Sequence, residues 1–214
     1  MTTTKLEWND LVPDADSYQD VFESSALASE TDFSLADTQP RLHYALEQLL
    51  YPRATSRFLL TKAPEEAEYL TLIGETLASL LPATHTPAGG QYDITGSIVR
   101  FEPTTDPESN FVGKQPVVIA DWVEAEQLFG CLRQFNQEIT LQPGLVHQAN
   151  GGVLLISLRA LLAQPLLWMR LKTMVTQRRF DWVSFDESRP LPVSVPSMPL
   201  DLKVVLVGER ESLA

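Results

Sequence analysis

The stretch GGVLLISL, residues 151–158, decides the fold class because two glycines lead directly into an uninterrupted apolar run. An apolar run of this length is typical of a strand that is buried on both faces of a parallel sheet. The leucine-rich segment that follows it predicts helical structure, with a helix over 165–177. A buried strand followed by a helix points to an α/β domain.

Short apolar runs and amphipathic segments alternate along most of the chain. Besides the quoted stretch, the predicted strands are 57–62, 116–121, 180–185 and 202–208. The predicted helices are 37–50, 64–82, 123–135 and 165–177. This alternation predicts an α/β fold with a mostly parallel sheet that is covered by helices on both faces.

Composition divides the chain into parts. Residues 1–36 are acidic and rich in Ser, Asp and Ala, and we expect them to form an N-terminal arm before an α/β domain that spans 37–214. Within that domain, residues 82–115 contain the alternating stretch QYDITGSIVRFE, which predicts a β-hairpin and loop insertion with a mobile loop around 103–113. Because the chain stops a few residues past a buried strand, we expect a fragment of a longer protein.

The charge balance argues against several classes of partner. The formal net charge is −12, from 28 Asp and Glu against 16 Lys and Arg, and the pI is about 4.6. Such a surface repels nucleic acids and anionic membranes. No apolar run is long enough to span a bilayer, and the polar N-terminus is unlike a secretory signal. With the single Cys131, these features predict a cytoplasmic protein with a reduced thiol.

A P-loop ATPase needs a glycine-rich turn after its first strand, followed by a Lys and a hydroxyl residue. The corresponding turn here, in RFLLTKAPEEAEYL at 57–70, contains no glycine, and Lys62 comes directly off the strand. Glu65 and Glu66 stand at the start of the next helix, where they would stabilise its first turn and repel a triphosphate. The sequence therefore predicts no ATP pocket.

The second half of an ATPase site is missing as well. Ser157 and Leu158 stand where a P-loop ATPase places the Asp that holds Mg²⁺ and the Glu that activates water. A hydroxyl and a leucine do not supply the charge that this chemistry requires, and Arg159 follows them. The segment is also explained as an ordinary core strand followed by a helix.

The remaining polar residues form no catalytic or metal-binding pattern. His43, His85 and His147 are far apart in sequence, and no Cys/His spacing suggests zinc. His147, in PGLVHQANGG, is interpreted as a structural residue. The acidic residues that are interpreted as a solvated loop are Asp181, Asp186 and Glu187.

Several longer phrases carry a resemblance to a known family. They are TKLEW (4–8), DTQPRLHYALEQLL (37–50), DWVEAEQLFGCLRQF (121–135), PGLVHQANGG (143–152), LLAQPLLWMRLK (161–172), SRPLPVSVPSMPL (188–200) and KVVLVGERESLA (203–214). In these phrases the chain resembles the N-terminal AAA-like region of bacterial Lon-related ATP-dependent proteases of the YcbZ type. The resemblance covers most of the chain and is least distinctive over 82–115.

The resemblance implies a Rossmann-like P-loop NTPase fold of the AAA+ type. In it, RFLLTK is the first strand, GGVLLIS the strand of the acidic pair and LKVVLVG the following sensor-type strand. The phosphate loop falls on Thr61–Glu68, including Lys62, Glu65 and Glu66, and the acidic pair falls on Ser157 and Leu158. Both positions are degenerate, so no catalytic residue or metal ligand carries over. ATP and Mg²⁺ are the cofactors of the family, and these residues predict that this chain has lost them.

The resemblance also implies a parent protein with a C-terminal lid and a Lon-type peptidase domain, which uses a Ser/Lys dyad and is absent from this chain. The chain would then be a non-catalytic module for oligomerisation and for handling unfolded polypeptide. Its partners would be the peptidase domain and further copies of itself. The alternative is a stand-alone interaction or regulatory protein without peptidase activity, and the reading frame beyond Ala214 distinguishes the two.

Overall fold

The computed structural model describes residues 34–81, 87–186 and 188–209. Its helices are α1 (Leu35–Thr38), α2 (Pro40–Leu50), α3 (Ala67–Leu80), α4 (Ala125–Phe129), α5 (Leu145–Gln148), α6 (Leu158–Leu162) and α7 (Pro165–Gln177). Its strands are β1 (Phe58–Lys62), β2 (Gly89–Thr95), β3 (Ile98–Pro103), β4 (Phe111–Val112), β5 (Val117–Ala120), β6 (Cys131–Phe135), β7 (Glu138–Gln142), β8 (Val153–Ser157), β9 (Arg179–Phe180), β10 (Met198–Pro199) and β11 (Lys203–Gly208).

A parallel sheet of four strands forms the centre, in the order β1-β11-β8-β5. β8 lies inside this sheet, and all five of its residues are buried. Parallel sheets are buried on both faces because their crossover connections place helices against each face. The uninterrupted apolar run of the quoted stretch follows from this central position.

Helices cover both faces of the sheet, and each face has its own hydrophobic cluster. Leu154 and Ile156 of β8 belong to a cluster that includes residues of α4 and α7. Val153 and Leu155 belong to a second cluster, which includes residues of α2 and α3. Since successive strand residues point to opposite faces, this division confirms the predicted α/β architecture with helices on both sides.

A small antiparallel sheet of β2, β3 and β4 lies within residues 82–115. β2 and β3 form a hairpin, and Gly96 in its turn has a φ of 60°, which glycine adopts without strain. The segment predicted as a mobile loop, 103–113, contains β4. Because β4 pairs with Gly89 and Gly90 at the start of β2, the end of this segment is anchored to the hairpin.

The helix predicted over 123–135 is wrong in its second half. α4 ends before Gly130, and β6 and β7 form an antiparallel hairpin that begins with the pair Cys131 and Gln142. Gly130 has a φ of 74°, and a Cβ there would lie 2.1 Å from the carbonyl oxygen of Gln142. This backbone conformation ends the helix and leads into β6. The apolar spacing of the segment does not reveal its pairing with β7.

The strand predicted over 180–185 is shorter than expected. β9 consists of Arg179 and Phe180, which pair with β10, and the chain leaves the ladder after Phe180. The Nε1 of Trp182 donates a hydrogen bond to the Oη of Tyr92 at 3.0 Å, and its ring packs edge-on against Phe180 and Tyr92. Aromatic packing rather than strand pairing therefore holds this apolar segment.

Some predictions concern the edges of the described part of the chain. Residues 1–33 of the predicted arm, together with His85 and Glu187, lie outside the described residues. Ser34 caps α1 through its side chain, and Leu35 is buried in the cluster that includes α2 and α3. Of the predicted arm, residues 34–36 are therefore packed with the α/β domain.

Replacement of Leu155 by Ala tests the central position of β8. Leu155 is 0% exposed, so the truncation leaves a cavity and should lower the free energy of unfolding by about 2–5 kcal/mol. Leu60→Ala is the matched control, because Leu60 on the edge strand β1 is 53% exposed and its loss should cost less than about 1 kcal/mol. Urea unfolding followed by circular dichroism measures both variants, and equal costs would contradict the placement of β8.

Candidate functional site

Three segments of the chain meet at the carboxyl end of the central sheet. The register aligns Lys62 at the end of β1 with Gly208, and Val207 with Ser157 at the end of β8. The β1–α3 connection, residues 63–66, therefore lies beside the end of β11. Ligands of open parallel α/β sheets bind at this edge, so a functional site is expected here.

The carboxylate of Glu65 occupies this junction. Glu65 is 5% exposed, and its Oε2 accepts hydrogen bonds from the Oγ of Ser157 and from the backbone N of Arg159, the latter at 2.9 Å. Its Oε1 accepts from the backbone N of Glu209 at 3.2 Å. The backbone N of Glu65 in turn donates to the Oε1 of Glu209 at 3.3 Å. These contacts replace the hydration that a carboxylate loses on burial.

The structure corrects the expected roles of Glu65 and Glu66. We predicted both in the first helical turn, but α3 begins at Ala67, Glu66 is its N-cap residue and Glu65 precedes it. Glu66 has extended backbone and is exposed, and its side chain caps none of the described N–H groups of α3. The extended backbone delays the helix and lets Glu65 reach donors at two strand ends, which a residue in a helical turn would not meet.

The sequence reasoning missed the contact of Glu65 with Ser157 because 92 positions separate the two residues. A signal for it is nevertheless present in the sequence. A carboxylate stands in the turn after one strand, and a hydroxyl stands at the end of another strand of the same parallel sheet. Since carboxyl ends of parallel strands lie at one edge, the two side chains could have been expected to meet.

The β1–α3 connection does not fit a phosphate group. A phosphate loop offers several backbone N–H groups to its ligand. Here Pro64 has no N–H, that of Ala63 donates to the carbonyl oxygen of Gly208 at 3.2 Å, and that of Glu65 donates to Glu209. The carboxylate of Glu65 adds negative charge at the same place. These residues provide neither the donors nor the charge that a nucleotide requires.

The end of β8 does not fit Mg²⁺ either. Leu158 packs against Gly208, where an added Cβ would lie 2.8 Å from the Cδ2 of Leu158. Arg159 forms an ion pair with Asp121, which follows β5, at 3.4 Å between Nη2 and Oδ1. Within residues 34–81, 87–186 and 188–209, no group of three His, Cys, Asp or Glu side chains is arranged to hold a metal ion.

Comparisons with known proteins identify the family. Residues 113–214 match the family described as LonB-like, AAA domain. A Lon protease homolog of Escherichia coli (strain K12) is 64% identical over 214 residues, which are 100% of this chain and 36% of that protein. Residues 113–214 thus match the LonB-like AAA family, and the whole chain is related to Lon protease homologs. A Lon protease homolog of Haemophilus influenzae (strain ATCC 51907 / DSM 11121 / KW20 / Rd) is 33% identical over 217 residues, which are 98% of this chain and 35% of that protein.

The chain thus spans about a third of the length of the curated relatives that it matches. Two solved structures align at lower similarity. The complex of the BchI and BchD subunits of magnesium chelatase gives a TM-score of 0.44 and 16% identity over 79% of this chain and 51% of that chain. NtrX from Brucella abortus gives a TM-score of 0.42 and 14% identity over 91% of this chain and 35% of that chain.

The residues predicted at the degenerate site of this Lon-related domain divide into two groups. Glu65 and Ser157 meet at the strand ends, and Leu158 lies beside them against the backbone of β11. Lys62 and Glu66 are exposed. Lys62 borders a groove of about 700 Å³ between β1, α2 and α3. The sheet therefore brings part of the predicted site together and leaves the lysine outside it.

The other polar residues considered from the sequence make local contacts in this Lon-related domain. These are the contact of His43 with Glu47 at 3.9 Å and the ion pairs Asp181–Arg179 at 3.0 Å and Asp186–Arg189 at 3.6 Å. Each joins residues that are close in sequence and partly or fully exposed, so their contribution to stability is small.

His147 is a packed residue of the core. It is 0% exposed, and its Nδ1 accepts a hydrogen bond from the backbone N of Gly144 at 2.9 Å. Its ring stacks on Trp182 and packs edge-on against Phe180 and Phe111, and its Nε2 has no hydrogen-bond partner among the described residues. Burial lowers the pKa of this imidazole from 6.5 to about 3, so the ring stays neutral.

Replacement of His147 by Gln tests how much this buried imidazole lowers the free energy of unfolding at acidic pH. The pKa of His147 is about 3 in the folded chain against 6.5 for a free imidazole. The unfolded chain therefore binds an extra proton below pH 6.5, and stability falls as the pH drops from there toward 3. Between pH 7 and pH 5, this effect should remove about 2 kcal/mol from the free energy of unfolding.

Gln is a suitable substitute because it can accept the hydrogen bond from Gly144, as in a capping box, but does not titrate. The His147→Gln variant should therefore lose about 2 kcal/mol less than the wild type over the same pH range. Urea unfolding at pH 7 and at pH 5 measures both proteins. Equal losses would show that His147 does not supply the acid sensitivity.

Proposed function

We propose that this chain is a non-catalytic AAA-like module of a Lon-like Ser/Lys protease, which serves oligomerisation and the handling of unfolded polypeptide without ATP. The observation that carries the proposal is the carboxylate of Glu65, which Ser157, Arg159 and Glu209 hold at the strand ends. A P-loop ATPase places the phosphates of its nucleotide at this edge of the sheet. The module then acts as a scaffold for the protease.

The charges at this edge oppose a polyphosphate. A triphosphate seated there would meet the carboxylates of Glu65 and Glu209, each of which accepts a hydrogen bond from the backbone of the other residue. One pair of like charges about 4 Å apart costs about 1 kcal/mol in water and about 4 kcal/mol at an effective dielectric constant of 20. Lys62, the cation nearest in sequence, is exposed and borders a groove instead.

Isothermal titration of the 214-residue chain with Mg²⁺·ATP tests the loss of nucleotide binding. We expect no saturable heat, because Glu65 places a carboxylate in the β1–α3 connection and the N–H groups of Ala63 and Glu65 already donate within the chain. We also expect no release of inorganic phosphate in a parallel assay. An ATPase with an intact phosphate loop, titrated in the same buffer, serves as the control. Micromolar binding or measurable hydrolysis by this chain would reject the proposal.

The β6–β7 hairpin supports the part of the proposal that concerns polypeptide. Its turn residues, Asn136 and Gln137, have φ values of 47° and 71°, as in the tight two-residue turns that connect the strands of a hairpin. Phe135 precedes this turn and is 77% exposed. An aromatic ring held at the tip of a hairpin can bury apolar surface of an unfolded chain at a low cost in side-chain entropy.

Binding of fluorescently labelled, unfolded casein, followed by anisotropy, tests the role of this hairpin. Phe135→Ala should weaken binding about five- to tenfold, since an exposed aromatic anchor is lost. Ile98→Ala is the matched control, because Ile98 lies beside the turn of the β2–β3 hairpin and is 58% exposed. Equal affinities for wild type and Phe135→Ala, or an equal loss in both variants, would contradict the proposed role.

Charge and length support the proposed partners. The relatives are about three times as long as this chain, which covers 36% and 35% of them. This favours a parent with a peptidase domain over a stand-alone interaction protein. Exposed Leu162, Leu166 and Met169 on α6 and α7 support contacts between copies in a homo-oligomer. The net charge of −12 argues against nucleic-acid and anionic-membrane partners for this module, which would act in the cytoplasm.

Among the described residues, no helix combines the length and the apolar character that a membrane span requires.

A further inference from the structure

The carboxylate of Glu65 joins parts of the chain that are far apart in sequence. Ser157, Arg159 and Glu209 lie 92, 94 and 144 positions away from it. We propose that this carboxylate is a built-in lock, which holds the β1–α3 connection, the β8–α6 junction and the residue after β11 in one arrangement. The proposed function concerns the loss of nucleotide binding at this edge. The lock goes beyond it, because it gives the side chain of Glu65 a structural role in holding three segments together.

The contact between Glu65 and Glu209 is reciprocal. The backbone N of each residue donates to the Oε1 of the other, at 3.3 Å and 3.2 Å. Each residue thus supplies the N–H donor of one hydrogen bond and the carboxylate acceptor of the other, as in a capping box. Together the two hydrogen bonds fix both backbone positions. Since Glu209 directly follows β11, the lock sets the position of the backbone at the point where it leaves the central sheet.

The second oxygen of Glu65 holds the start of α6. Ser157 is the N-cap residue of this five-residue helix, and its side chain caps none of the described N–H groups of α6. Its Oγ instead donates to Glu65, whose Oε2 also accepts from the backbone N of Arg159. The end of β8 is therefore tied to Glu65 through one side chain and one backbone group.

A nonpolar contact ties the same elements a second time. Leu158 lies so close to Gly208 that a Cβ on Gly208 would be 2.8 Å from the Cδ2 of Leu158. The ends of β8 and β11 are thus joined both by a hydrophobic contact and by the carboxylate of Glu65. A ligand that binds and dissociates shifts a protein between two conformations according to the fraction of protein that it occupies. The carboxylate of Glu65 belongs to the chain and does not dissociate, so it holds the strand ends in one conformation.

Amide hydrogen exchange on the whole 214-residue chain tests the lock. Glu65→Ala should speed exchange at the amides of Arg159 and Glu209 by about tenfold or more, because both lose their acceptor. It should also lower the melting temperature by about 5 °C. Glu66→Ala is the matched control and should change neither quantity, since Glu66 is exposed. Unchanged exchange at both amides in Glu65→Ala would overturn the proposal.

Sodium acetate distinguishes two causes of faster exchange in Glu65→Ala, the loss of the carboxylate and a general packing defect. Added acetate should slow the exchange of these two amides again in Glu65→Ala and leave the wild type unchanged, with sodium chloride at equal ionic strength as the reference. Acceleration that acetate does not reverse would overturn the lock.

A second variant covers the case in which Glu65→Ala does not fold. Ser157→Ala removes one donor to Glu65 and should speed exchange at Arg159 about threefold or more, while an unchanged rate would overturn the proposal. The nucleotide titration is a separate outcome. ATP binding would reject the proposed function, whereas these exchange rates decide whether Glu65 acts as a lock.

Discussion

The burial of one carboxylate is the constraint on which the carboxyl edge of this domain depends. Removing such a group from water costs several kcal/mol unless hydrogen bonds replace its hydration. The elements that donate to Glu65 must therefore keep their positions together. The parallel sheet makes this arrangement possible, since β1, β11 and β8 are neighbours and end at the same edge. The sheet aligns the donors, and the carboxylate in turn joins the loops that leave the sheet.

The core of the domain does not depend on this edge. Two clusters of apolar side chains, one on each face of the sheet, contain the alternating residues of β8 and β11. Neither cluster includes Glu65 or Ser157. The fold of a nucleotide-binding domain can therefore persist while the residues at its strand ends change, which is why a match to an AAA family does not by itself assign ATP chemistry to a chain.

Much of the fold could be predicted from local pattern. α7 follows the predicted bounds 165–177, and β11 follows the apolar run that ends at Gly208, because these segments combine clear periodicity with a Pro or Gly boundary. The prediction failed over 123–135, where a strand pairs with a distant strand, and over 180–185, where aromatic packing replaces a ladder. Both outcomes depend on tertiary contacts that the spacing of apolar residues does not encode.

At the site, the sequence shows which residue types stand at the strand ends, but the loss of nucleotide binding stays a prediction. The lack of glycine after β1 and of acidic residues after β8 is visible in the sequence, whereas the use of the backbone N–H groups of Ala63 and Glu65 within the chain is visible only in the structure. The partners of Glu65 were not predicted, because they come from 92 to 144 positions away and two of them are backbone groups. The types of side chain in a sequence do not indicate which backbone N–H groups will donate to a given carboxylate.

The contacts of Ser157 and Gly208 restrict which residues can replace them. An acidic side chain in place of Ser157 would face the carboxylate of Glu65, and a Cβ in place of the hydrogen of Gly208 would lie 2.8 Å from the Cδ2 of Leu158, so the leucine side chain would have to move. The two pairs of positions are therefore coupled. An acidic residue at position 157 is accommodated only if Glu65 changes with it, and a side chain at position 208 is accommodated only if Leu158 moves or is replaced.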